Sequence, residues 1–113
     1  MKKLIITLAV LVLAGCATTL DLRSTKPTET GVSAKSANKF ASCVSEGWRG
    51  TGYRITSTPR DNGISLQLPN GGGMEYDFVL DIDETSTGSE YKFYERWSAF
   101  GNQKINEAVR NCK

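Results

Sequence analysis

Apolar residues recur every three to four positions over residues 33–48, at Ala34, Ala37, Phe40, Ala41, Val44 and Trp48. That spacing predicts a helix with one buried stripe. Ser33 is placed to cap its first turn, Gly47 and Gly50 to stop it, and Cys43 falls at the edge of the stripe. From Tyr53 onward the period drops to two, and four short runs read as strands: residues 53–58 ending at Pro59, 64–68 ending at Pro69, 74–83, and 90–97. Asp61-Asn62-Gly63 is a hairpin signal because Asn and Gly tolerate positive φ, and Asn70-Gly71-Gly72-Gly73 is a second turn. The helical period returns over residues 102–112, with Ile105, Ala108, Val109 and Cys112 on one face.

The third run is the most regular. Met74, Tyr76, Phe78, Leu80 and Ile82 share one face, and Glu75, Asp77, Val79, Asp81 and Asp83 share the other, so the pattern is a half-buried strand with an acidic outer surface. Pairing it with the fourth run so that partner numbers sum to 173 sets Ile82 against Tyr91, Leu80 against Phe93 and Tyr76 against Trp97 inside. The same register sets Asp81 against Lys92 and Asp77 against Arg96 outside, a charge agreement that supports the register. Glu95 then points inward opposite Phe78 and does not fit. The expected fold class is α+β: a two-layer sandwich of helix, four-stranded antiparallel meander and helix.

The first sixteen residues, M-K-K-L-I-I-T-L-A-V-L-V-L-A-G-C, follow neither period. Two lysines, an uncharged and mostly apolar run, and a small-residue end have the three-part build of a secretory signal peptide. The run from Leu4 to Ala14 is about half the roughly 20 residues a membrane-spanning helix needs. Leu13-Ala14-Gly15-Cys16 resembles, at every position, the lipobox of bacterial lipoproteins. The resemblance implies cleavage before Cys16 and acylation of its thiol, so that membrane lipid is the first expected partner. In the Gram-negative sorting pattern an aspartate after that cysteine favours the inner membrane; Ala17 stands there, which implies outer-membrane delivery with the domain facing the periplasm. Residues 1–15 are then the signal peptide, 16–33 the lipidated cysteine with a polar tether rich in Thr and Ser, and 34–113 one small α+β domain.

This assignment changes what charge and cysteines mean. The formal charge of +2 is that of Lys2 and Lys3, so the mature chain balances and carries no electrostatic signature of nucleic-acid binding. With Cys16 given to lipid, the three cysteines reduce to the even pair Cys43 and Cys112, predicted to form a disulfide. Closing a loop of that length would stabilise the fold by about 4 kcal/mol.

The chain has no histidine, which excludes Ser-His, Cys-His and His-ligated zinc chemistry in their usual forms. No enzyme activity, cofactor or metal is expected. Asp81, Asp83 and Glu84 offer hard oxygens for a weak calcium site, against the plainer reading of a solvated strand face, and Glu95 with an acidic neighbour is a remote candidate carboxylate pair. Trp48 and Trp97 sit on inner stripes. Tyr94 falls on the outer face between Lys92 and Arg96, and these three form the candidate patch for a protein partner in the envelope. The expected role is a non-enzymatic binding or accessory module. The alternative is an inhibitor or immunity-type lipoprotein that blocks a cell-wall hydrolase or phage receptor with residues 84–89 or 70–73.

Overall fold

The structure, a computed structural model, describes residues 22–52, 54–69, 76–96 and 103–113. Cys16, Tyr53, the glycine turn at 70–73 and Trp97 lie outside these residues. Seven elements follow in chain order: strand β1 (Glu29–Ser33), helix α1 (Ala37–Arg49), strands β2 (Thr56–Arg60), β3 (Gly63–Pro69), β4 (Tyr76–Thr85) and β5 (Gly88–Glu95), and helix α2 (Gln103–Cys112). The strands form one antiparallel sheet in the order β1-β5-β4-β3-β2. Both helices cover one face of it.

The α+β class holds, but the sheet has five strands where the sequence pattern predicts four. The added strand, β1, lies within the stretch read as tether and pairs Gly31 with Tyr91 and Ser33 with Ser89. It has no apolar alternation of its own; Val32 is exposed, and β5 recruits the backbone. Because residues 29–33 enter the sheet, α1 starts later than expected. Ser36 is its cap in place of Ser33, accepting from the Lys39 N–H at 3.3 Å. The Glu84 carboxylate accepts from the Ala37 N–H at 2.9 Å, placing negative charge at the positive end of the helix.

The predicted register is the observed one, with Ile82↔Tyr91, Leu80↔Phe93 and Asp81↔Lys92. Two local expectations need correction. Pro59 does not end the first hairpin strand; it sits inside β2 opposite Ile64, tolerated because β2 is an edge. The Asp61-Asn62 turn uses no positive φ, since no described residue other than glycine has one. Gly63 is needed for space: a Cβ there would lie 1.8 Å from the Ile82 carbonyl oxygen.

The core fills the layer between helices and sheet. Phe40 stacks on Tyr91 with ring centroids 5.2 Å apart, and Trp48 and Phe78 approach Phe93 at 6.3 and 6.2 Å. The Trp48 indole N–H donates to the Ile105 carbonyl at 3.1 Å, so the largest buried side chain also satisfies its polar atom. The predicted Cys43–Cys112 disulfide is present, joining α1 to α2 with Cα atoms 5.7 Å apart.

Candidate functional site

Antiparallel pairing puts partner residues on the same face, so the helix-free side of the sheet can be read as rows. One row runs Tyr94, Val79 and Gln67; the next runs Thr30, Lys92, Asp81, Ser65 and Thr58; the third runs Val32, Glu90, Asp83 and Gly63. The pattern predicts a solvated face here. Instead, Val79 and Asp81 are buried, and so are Ser65 and Gln67.

What covers them is the segment at Leu22 and Arg23. Leu22 is 1% exposed and packs with Val79 and Tyr94 in an apolar cluster separate from the main core. Arg23 takes Asp81 with both arms of its fork, Nε to Oδ2 at 2.9 Å and Nη2 to Oδ1 at 3.0 Å, and Nη2 also reaches Ser65 Oγ at 3.0 Å. A planar fork on a carboxylate fixes direction as well as distance. Arg60 completes the network, 3.2 Å from Asp81 Oδ2 and donating through Nε to Asp83 Oδ1 at 3.0 Å. Its pKa is raised, first by the hydrogen bond to Asp83 and further by the charges of Asp81 and Asp83, against the effect of burial. Gln67 then bridges Ser65 and Thr58 at 2.8 and 3.0 Å.

Beside this network lies an open groove of about 630 Å³, whose charged lining is Arg23, Arg60, Lys92, Asp81, Asp83 and Glu90. Val32, 74% exposed, stands at its rim.

The expected patch of Lys92, Tyr94 and Arg96 does not form as one surface. Lys92 is exposed, Tyr94 is only 6% exposed under Leu22, and Arg96 is partly buried with its guanidinium 3.8 Å from Asp77. The acidic triplet is divided too. Strand alternation leaves Asp81 and Asp83 on the groove side, engaged by arginines, and turns Glu84 toward α1.

On the helix side, Glu95 is buried and takes a hydrogen bond from the Asn106 amide at 3.3 Å. Burial pushes its carboxyl up from the ordinary range, more than that hydrogen bond lowers it. Nearby, the Tyr91 hydroxyl donates to Glu29 at 3.2 Å; burial first, then the Glu29 charge, pushes it up to about 12.

No family model, curated protein or solved structure matches the chain. Function therefore rests on residues and geometry. Leu22 and Arg23 are the residues that sequence patterning misses. A lone leucine beside an arginine in a polar tract has no period that would reveal it.

Proposed function

We propose that the chain is a lipid-anchored bacterial envelope lipoprotein whose domain is a non-enzymatic binding or accessory module, delivered to the outer membrane and facing the periplasm. The observation that carries this reading is the disulfide. With Cys43 and Cys112 consumed, Cys16 is the one remaining cysteine, and it stands at the acylated position of Leu13-Ala14-Gly15-Cys16. A bridge between elements 69 residues apart also suits an oxidising compartment.

The non-enzymatic part of the reading is supported by how the candidate carboxylates are used. Asp81 and Asp83 hold guanidinium groups, Glu84 holds a helix terminus, and Glu95 lies under α2. Of the two loops of the inhibitor reading, residues 84–89 form a tight β4–β5 connection tied to the first turn of α1 and to the Lys35 carbonyl, and residues 70–73 lie outside the described residues.

Changing Cys16→Ser should move the protein from the membrane to the soluble fraction, since several acyl chains bind a bilayer far more firmly than the marginal affinity of one. Unaltered membrane partition of that variant would refute the anchor. Crosslinking in intact cells, followed by mass spectrometry, would identify the partner.

A further inference from the structure

We propose that the helix-free face of the sheet, with its charged groove, lies against the zwitterionic phospholipid headgroups of the membrane, and that the α1–α2 layer is the side turned toward other molecules. This rests on the lipoprotein reading and adds to it an orientation and a lipid class.

The length of chain between anchor and domain carries the argument. Only residues 17–21 separate Cys16 from Leu22, and six backbone steps span at most about 20 Å. Leu22 does not hang from an edge of the domain. It is buried on the helix-free face against Val79 of the central strand β4 and Tyr94 of β5, and Arg23 is forked onto Asp81 beside it. A chain leaving that face on so short a leash keeps the face near the lipid and the opposite layer farther away by the thickness of a helix, about 10 Å.

The composition of the two faces agrees. Within the groove Arg23 and Arg60 are held by Asp81 and Asp83, which leaves Lys92 and Glu90, both exposed and two positions apart on β5, as one outward cation and one outward carboxylate. That balance matches a headgroup carrying one ammonium and one phosphate better than a surface of one sign. Val32, the large apolar side chain left exposed among the described residues, stands at the rim of the same groove. The helix side instead exposes Lys39, Glu46, Arg49, Lys104, Glu107 and Arg110, a hydrated surface.

The test uses the full acylated protein in nanodiscs of phosphatidylethanolamine and phosphatidylcholine, with a small fraction of lipid bearing a headgroup gadolinium chelate. Amide relaxation enhancement should be roughly tenfold stronger at residues 30, 32, 90 and 92 than at Lys39, Glu46 and Lys104, given a helix layer about 10 Å more distant. Equal or stronger enhancement on the helices would overturn the orientation. The double change Leu22→Ala, Arg23→Ala should abolish the difference between faces while the protein stays on the disc; persistence of the difference would also overturn it. A face preference that appears only after anionic lipid is added would reject the zwitterionic assignment. Mass spectrometry of residue 16 separates the two claims: a non-acylated Cys16 removes both, whereas an acylated protein with the wrong face toward lipid removes only this one.

Discussion

The two faces of the sheet bury side chains by different means. On the helix side, burial is apolar and redundant: Phe40, Trp48, Leu80, Ile82, Tyr91, Phe93 and Ile105 meet one another from several elements, so no single contact defines the layer. On the other side, one leucine covers Val79 and Tyr94, and the Arg23 fork, joined by Arg60, holds Asp81. Nondirectional packing tolerates changes in detail and resists large deletions, whereas a hydrogen-bonded ion network depends on each partner being present. The helix side carries the stability of the fold, and the other side fixes where the chain leaves it.

Substitutions graded by size test that division. Phe93→Ala on the helix side should cost about 3–5 kcal/mol in chemical denaturation, by lost burial and the cavity left under Trp48 and Phe78. A cost no larger than that of the outer-face variants would break the comparison. Asp81→Ala should cost less, about 1.5–3 kcal/mol, because it orphans part of the Arg23–Arg60–Ser65 network, whose arginines keep some access to water. A double-mutant cycle of Asp81→Ala with Arg23→Ala should then show coupling of about 1 kcal/mol that weakens with added salt, whereas Phe93→Ala should show no salt dependence.

The smallest effect concerns Glu95, a buried charged residue on the helix side. Its carboxyl pKa is raised in the fold by burial, so this group favours folding below the ordinary carboxylate range and loses that contribution as pH rises through its folded value. Glu95→Gln should therefore be more stable than the parent at neutral pH, with the difference vanishing in acid. Melting curves across that range check the sign. Lower stability of the Glu95→Gln protein at neutral pH would show that the bond to Asn106 outweighs desolvation.

Legibility in the sequence follows the same division. Periodicity reports burial that repeats, so α1, α2, the regular strand β4 and its register with β5 could all be read from the residues, as could the inward placement of Glu95. It does not report burial created by one residue arriving from elsewhere. Val79 and Tyr94 read as outward because they alternate with inward residues; they do point outward, and Leu22 covers them. β1 was hidden for a related reason: Gly31 leaves a space that the Tyr91 ring occupies, and a Cβ there would stand 2.8 Å from the Tyr91 hydroxyl. That complementarity belongs to the pair. It is visible in neither segment alone.

The strand order β1-β5-β4-β3-β2 sets when the protein can become itself. The first strand of the sheet waits for the last, and the bridge from Cys43 waits for Cys112, at the end of α2. As the chain is made from its N-terminus, the Leu22–Arg23 segment and β1 emerge before the strands they close on, and loop-closure entropy opposes the pairing of β1 until β5 appears. Closing the sheet with β1 and bridging the two thiols are therefore the late steps, one waiting on β5 and the other on α2.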